Sequence, residues 1–142
     1  MFRRRAWYVI GQSHRANHPL TLRINRIEKS SMTHELYTIP EDFSVQKYMA
    51  KSWEMRLGPE THIVIDFEPR VAPLIQEVRW HSTQQMHTMP DGKLRFEVTI
   101  AGWQEIGWWL LQWGYEAEVI QPKALREWVA ETAKRMIEVY QA

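Results

Sequence analysis

The chain has 142 residues, of which 44% are hydrophobic and 25% are charged, a composition typical of one ordinary or two small globular domains and not of a disordered or fibrous protein. It contains no cysteine, which excludes disulfides, thiolate zinc sites, iron–sulfur clusters and a cysteine nucleophile. No stretch reaches the roughly 20 apolar residues of a membrane span, and the first residues are too short an apolar run for a signal peptide, so we expect a cytoplasmic protein with no membrane partner.

Charge is unevenly distributed along the chain, although the formal net charge is only +1. Residues 1–27 hold six arginines and no Asp or Glu, whereas residues 61–142 hold eleven acidic side chains against eight Lys plus Arg. A local positive excess attracts polyanions whatever the net charge, because salt screens the field over about 10 Å. Nucleic acid or a nucleotide is therefore a candidate partner of the first half; the alternative is that these arginines only solvate strand faces.

The first half is predicted to contain a hairpin, a third strand and a short helix. Apolar, aromatic and β-branched residues predict a strand at 6–10, ended by Gly11, and alternation predicts its partner at 20–27. Residues 36–39 are a candidate third strand that is stopped by Pro40. Asp42 or Ser44 is placed to cap a helix that runs to residue 51.

The second half shows a more regular pattern, which predicts four strands and three helices. In chain order these are a strand at 62–67, a helix from Pro69 to about Val78, a weaker strand at 80–88, a strand at 94–100, a helix at 103–113, a strand at 116–120, and a helix from Pro122 to about Tyr140. The first six elements have the ferredoxin-like order, with a helix appended. Gly58 and Pro59 break the chain where the charge changes sign, so the predicted domains are 1–58 and 61–142.

Arginines near Tyr8 form a candidate site for an anionic ligand. The guanidinium group suits phosphate because its planar fork donates two parallel hydrogen bonds and keeps its charge near neutrality. Tyr8 offers a ring on which a base can stack, and His14 lies in the arginine-rich loop, where it can donate to phosphate. Arg23 and Arg26 face opposite sides of a regular strand, so both reach one ligand only where a bulge or the strand end intervenes. The alternative is separate surface roles for the two arginines.

Catalytic and metal-binding patterns are missing from the sequence. The histidines lack the i, i+4 spacing and the nearby carboxylates of a zinc site, so we expect no metal and no cofactor. Glu116 and Glu118 lie on one face of a predicted strand without a neighbouring base or nucleophile motif. There is also no glycine-rich phosphate loop. We therefore expect no catalytic residues and no enzyme activity.

Eight tryptophans crowd this chain, five of them in its last forty residues. The helix predicted at 103–113 places Trp103 and Trp113 toward the sheet but Trp108 on another side, so the helix is apolar around much of its circumference. Such a helix needs a second partner, which the last helix or a second subunit can supply. We expect the second half to mediate a homodimer, with packing inside one chain as the alternative.

Two sets of motifs resemble a known family. Residues 7–11, Trp-Tyr-Val-Ile-Gly, followed by residues 22–27, Leu-Arg-Ile-Asn-Arg-Ile, resemble the second half of a WYL domain. Residues 61–142 look like the WYL C-terminal extension, or WCX domain, through Trp80-His81, Gln84-Gln85, Asp91-Gly92, Trp109-Leu110-Leu111 with Gly114, and Pro122 with Leu125-Arg126. Val9 and Asn25 depart from the usual Leu and Asp of the WYL pattern.

The resemblance implies an α+β fold. It consists of a partial SH3-like (Sm-type) β-barrel at 1–58, followed by a ferredoxin-like βαββαβ domain with an extra C-terminal helix at 61–142. Regulators of this family place a winged helix-turn-helix domain before the WYL barrel. Because this chain begins inside the barrel pattern, we expect either an excised piece or a barrel completed by strand exchange between chains.

The resemblance also implies a function, that of the ligand-sensing and dimerisation region of a bacterial transcriptional regulator. The WYL barrel is taken to sense nucleic acid or nucleotide-like ligands, and Tyr8, His14, Arg23 and Arg26 are the expected contact residues. Operator DNA would be bound through a helix-turn-helix domain that is absent from this chain. The alternative is a protein–protein interaction module that binds no small ligand.

Overall fold

The structure, a computed structural model, describes residues 1–3, 5–16 and 18–141. The chain divides into two compact units, Met1–Met49 and Ala50–Ala142, which are described separately below. The division into domains at residues 58 and 61 stays a prediction.

The first unit is built on a small antiparallel sheet. Its strands are β1 (Phe2–Arg3), β2 (Ala6–Gln12) and β3 (Pro19–Arg23), in the order β1-β2-β3, so β3 is an edge strand. The β2–β3 pair confirms the predicted hairpin. A 3₁₀ turn, Ile24–Arg26, follows β3, and helix α1 (Val45–Met49) comes later in the chain.

Glycine does not end β2, contrary to the sequence prediction. Gly11 pairs with Leu20 inside the ladder, because the partner strand supplies backbone hydrogen bonds that outweigh a weak β propensity. The partner strand is shorter than predicted. It ends at Arg23, and the remaining residues of the 20–27 pattern form the 3₁₀ turn and its exit.

The third strand predicted at residues 36–39 does not form. Leu36 is 100% exposed and Tyr37 is 86% exposed, so this apolar segment pairs with no sheet edge among the described residues. A strand needs a paired neighbour to be stable, whatever its propensity. The helix prediction holds in part: the Ser44 hydroxyl accepts a hydrogen bond from the Lys47 N–H at 3.4 Å, and α1 ends at Met49.

The second unit has the predicted ferredoxin-like topology. Its elements are β4 (Glu60–Phe67), α2 (Ala72–Gln76), β5 (Gln85–Thr88), β6 (Leu94–Ala101), α3 (Gln104–Leu110), a 3₁₀ segment (Leu111–Glu116), β7 (Ala117–Gln121) and α4 (Lys123–Tyr140). The antiparallel strand order β5-β6-β4-β7 inserts β6 between the first two strands of this unit, as in a split βαβ fold. This confirms the α+β class, although α2 and β5 are shorter than predicted.

Alternation along the strands separates a core face from a polar face. The fully or almost fully buried core side chains are Ile63, Ile65, Phe67, Leu94, Phe96, Val98, Ile100 and Val119 from the strands, with Ile75, Ile106, Leu110 and Leu125 from the helices. Burying each such side chain stabilises the fold by about 1.5–3 kcal/mol. The opposite face carries Asp66, which is 8% exposed and lies directly across from Arg95 on β6 and Glu118 on β7.

The segment before β4 packs against this core and forms hydrogen bonds to it. Trp53 is 9% exposed, and its ring lies 5.2 Å from that of Trp109 and 6.3 Å from that of Phe96. The Glu105 carboxylate accepts backbone hydrogen bonds from Glu54, Met55 and Arg56 at 2.9–3.1 Å. Residues 50–56 therefore belong to the second compact unit.

Helix α4 packs on α3 through a close contact. A side chain at Gly107 would bring its Cβ to 3.0 Å from Trp128 and 3.3 Å from Leu125, so glycine lets the two helices approach. Trp108 stays 64% exposed, with its ring 5.3 Å from that of Trp128. The appended helix thus supplies part of the second partner that α3 requires.

Candidate functional site

A cleft of about 320 Å³ lies at strand β3 in the first unit. It is lined by Tyr8, Thr21, Leu22, Arg23, Arg26 and Ile27. Three of the four predicted contact residues are therefore brought together. The volume is at the lower end of the range of about 300–1,000 Å³ for small-ligand sites.

The register of the hairpin places the aromatic ring beside the first arginine. Tyr8 on β2 lies directly opposite Arg23 on β3, so both side chains are on the same face of the sheet. Both are half-buried. A base stacked on the Tyr8 ring would therefore have a guanidinium group within reach of its phosphate.

The end of β3 brings the second arginine to the same cleft. Arg23 is the last residue of the strand, and Arg26 closes the 3₁₀ turn that follows. The turn reverses the chain direction after Arg23, and both arginines line the same cleft. The geometric condition for joint contact by Arg23 and Arg26 is met, since the strand end intervenes between them.

Two polar atoms in this cleft lack a partner. Thr21 Oγ1 and Arg23 Nε are buried and make no hydrogen bond within the described part of the chain. Leaving a buried polar group unsatisfied costs about 1–3 kcal/mol, and more for a charged group. An acceptor such as a phosphate oxygen would satisfy the guanidinium donor.

His14 lies apart from the other three predicted residues. It lines a second cleft of about 330 Å³, together with Gly11, Gln12, Ser13, Arg15, Leu20 and Leu22. Leu22 lines both clefts, but Gly11, Leu20 and Leu22 alternate with Thr21 and Arg23 along the hairpin, so the second cleft lies on the opposite face of the sheet. Only a ligand that crosses the edge strand β3 would reach both clefts.

Sequence reasoning missed Thr21 as a cleft residue. Thr21 is two positions before Arg23 on the same strand, so the two side chains share a face of the sheet. That spacing was readable in the sequence. Ile27 was not recognisable as a lining residue, because its position depends on the turn after β3.

Several charged groups in the second unit are paired with one another. Arg95 donates from Nε and Nη2 to the two carboxylate oxygens of Asp66, both at 2.8 Å, and these hydrogen bonds, with the charge of Asp66, raise the pKa of Arg95. The hydrogen bond to Glu68, together with its charge, likewise raises the pKa of Lys93. Because each of these cations already has a carboxylate partner, the polar face of the sheet is a weaker anion site than the cleft at β3.

The described part of the chain shows neither a cluster of metal ligands nor a membrane-spanning helix. Within residues 1–3, 5–16 and 18–141, no three His, Asp or Glu side chains converge as metal ligands. None of the helices that the structure describes combines the length and apolar character needed to span a bilayer.

The comparisons with known proteins bear on the second unit. The family model of the WCX domain matches residues 59–137, more than half of the chain. The chain belongs to the WCX domain family. This confirms the resemblance indicated by motifs such as Trp80-His81 and Asp91-Gly92. The WCX match covers all four strands of the ferredoxin-like sheet and most of α4, whereas both clefts lie outside it.

The other two comparisons show one distantly similar structure and no curated relative. Among solved structures, the chain is similar to proteasome accessory factor B/C (PafBC) of Arthrobacter aurescens, with 17% sequence identity and a TM-score of 0.41 over 87% of this chain and 19% of that chain. This WCX chain therefore spans less than a fifth of the PafBC chain. No curated protein matches it.

Proposed function

We propose that this chain is the ligand-sensing and dimerisation region of a bacterial DNA-binding transcriptional regulator. In this proposal, Tyr8, Arg23 and Arg26 bind a nucleic-acid or nucleotide-like anionic ligand. Membership of the WCX family supports the regulatory role, and DNA contact would come from a helix-turn-helix domain elsewhere in the regulator. The role is one of binding and not of catalysis.

The observation that carries the ligand proposal is the unpartnered Arg23 Nε in a cleft shared with Tyr8 and Arg26. A half-buried guanidinium group with no carboxylate partner among the described residues favours an anionic ligand, because the ligand restores the hydrogen bond lost on folding. The absence of Asp and Glu from residues 1–27 leaves this positive charge uncompensated nearby in the sequence.

The neighbouring cleft favours a ligand longer than one nucleotide. His14 and Arg15 border it, and Leu22 joins it to the cleft of Tyr8 and Arg23. We propose that a single strand crosses the edge strand β3 and that His14 contacts a phosphate on the opposite face of the sheet. A His14→Ala variant is then expected to weaken oligonucleotide binding and to leave mononucleotide binding unchanged.

Equilibrium binding tests the ligand proposal. We expect a fluorescein-labelled oligothymidylate of about ten nucleotides to bind the chain in fluorescence anisotropy titrations. The Arg23→Ala/Arg26→Ala variant should bind at least about 100-fold more weakly, because hydrogen bonds to charged groups contribute about 1.5–3 kcal/mol each.

The matched control removes the same two charges from the second unit. An Arg79→Ala/Lys134→Ala variant changes two exposed cations that line neither cleft and should bind within about twofold of the unaltered chain. Equal losses in both double variants would show that binding depends on net charge and not on the cleft.

A second candidate function is that of a protein-interaction module without a small ligand. An apolar sheet face favours it: Phe2 is 58% exposed and Trp7 is 60% exposed, and their rings lie 5.3 Å apart. Val9 and Leu22, also on this face, are similarly exposed. This candidate is preferred if no oligonucleotide or nucleotide binds to the folded chain.

A further inference from the structure

We propose that a second copy of this chain packs antiparallel on the exposed part of helix α4, which forms the dimer contact. This inference rests on the proposed dimerisation and identifies its surface. It commits to a second copy of the same chain as the occupant.

An apolar seam runs the length of α4 at alternating spacings of four and three residues. Its members are Leu125, Val129, Thr132, Met136 and Val139. This is the a and d spacing of a coiled-coil helix. Thr132 fits such a seam, because its hydroxyl donates to the Trp128 carbonyl at 2.8 Å and so needs no other partner.

Only the first half of the seam is used inside the unit. Leu125 is 0% exposed in the core, whereas Met136 is 49%, Val139 72% and Tyr140 84% exposed. The last two turns of α4 thus continue a packing surface beyond the body on which it packs. An isolated helix of this length is only marginally stable in water. We therefore expect this part of α4 to pack against a partner.

Antiparallel packing accounts for an aromatic pair that parallel packing leaves uncovered. Trp108, 64% exposed, lies against Trp128 at the point where the seam emerges from the body. With Met136 against Thr132 of the second copy, Tyr140 reaches the level of the other copy's tryptophan pair. In a parallel arrangement, Tyr140 would lie far from that pair on both copies.

The size and charge of the surface fit a second copy. With exposed aromatic side chains of about 150–250 Å² each, the seam, Trp108 and Tyr140 present on the order of 600 Å², against about 800 Å² per partner in a standard interface. Arg135, which flanks the seam, already pairs with Glu131 at 3.0 Å. This ion pair therefore brings no net charge of its own to the contact.

Sedimentation equilibrium of the intact chain tests the inference. We expect twice the chain mass of 17.1 kDa at high micromolar concentration. Met136→Glu should raise the dissociation constant about 30-fold or more, whereas Lys134→Glu, on the charged side of α4, should leave it unchanged. Near-ultraviolet circular dichroism of the tryptophans verifies that both variants fold.

Single cysteines then test the orientation, because the chain has none of its own. An oxidised mixture of Thr132→Cys and Met136→Cys chains should yield mainly the mixed disulfide, and Lys134→Cys should not cross-link. Preferential Met136→Cys homodimers would overturn the antiparallel arrangement. A dimer unaffected by Met136→Glu and lacking cross-links would overturn the α4 contact alone, whereas a monomeric unaltered chain would also remove the proposed dimerisation.

Discussion

Tyr8 is the residue whose substitution separates stacking from hydrogen bonding. If a base stacks on its ring, Tyr8→Ala removes about 1–3 kcal/mol and weakens oligonucleotide binding about 5- to 150-fold. Tyr8→Phe keeps the ring and should bind within about threefold of the unaltered chain. Anisotropy titrations measure both. Equal weakening by both variants would assign the contact to the hydroxyl group and contradict stacking.

Lys93 makes the free energy of unfolding depend on pH. Hydrogen bonding to Glu68 raises the folded-state pKa of Lys93 above its ordinary value of 10.5. The folded chain therefore favours the charged form, and the resulting stabilisation is fully present below pH 10.5 and lost as the pH rises through the folded-state pKa. We expect the free energy of unfolding to fall more steeply above that pH in the unaltered chain than in Lys93→Met. Urea titrations about one pH unit below and above this value measure the difference, and parallel pH curves would contradict the prediction.

At the residue scale, the sequence was informative where chemistry is local. The residue types suited to an anion pointed to Tyr8, Arg23 and Arg26, and the structure places all three at one cleft. Whether Arg23 and Arg26 share a face could not be predicted, because that depends on where β3 ends. Its place in the arginine-rich loop predicts His14 as a further phosphate contact, yet it lines the cleft on the opposite face of the sheet.

The contact between α3 and α4 depends on Gly107. A valine there would meet Trp128 at 3.0 Å and Leu125 at 3.3 Å, so we expect Gly107→Val to lower the free energy of unfolding by about 1–3 kcal/mol. Urea denaturation followed by circular dichroism measures this change. The control is Gly58→Val, where a Cβ meets nothing within 4 Å, and its expected effect is within about 0.5 kcal/mol. A neutral Gly107→Val would show that α4 is free to move away.

At the element scale, amphipathic alternation predicted the second unit well. Leu94 to Ile100 alternate between the core and the polar face along β6, and a strand with such a pattern has only one stable placement. Residues 36–39 have a similar β propensity, but they pair with no sheet edge among the described residues and remain exposed. Propensity alone therefore predicted a strand that pairing does not support.

Trp53 tests how far the second unit extends toward the start of the chain. Because its ring is buried among Phe96, Trp109 and His81, Trp53→Ala should lower the free energy of unfolding by about 3–5 kcal/mol. Tyr115→Ala, at a position 87% exposed in the same unit, should change it by less than about 0.5 kcal/mol. Urea denaturation measures both. Similar small effects would place residues 50–56 outside the cooperative unit.

At the scale of the whole molecule, composition and motif order predicted two parts and the family of the second. The attachment of residues 50–56 was not predictable, because it depends on contacts between residues about fifty positions apart, such as Glu105 with the Met55 amide. The break at Gly58 and Pro59 is visible in the sequence, whereas the packing of Trp53 across it is not. Local composition indicates where a chain turns, but tertiary contacts decide which unit a segment joins.

The salt dependence of oligonucleotide binding tests the central claim most directly. About three phosphate contacts predict a slope near −2 for the logarithm of the binding constant against the logarithm of salt concentration, since single strands give about −0.7 per contact. In the Arg23→Ala/Arg26→Ala variant, two lost contacts should bring the slope to about −0.7. A slope that stays near −2 in the folded variant, or no binding by the unaltered chain, would contradict an anion site at this cleft.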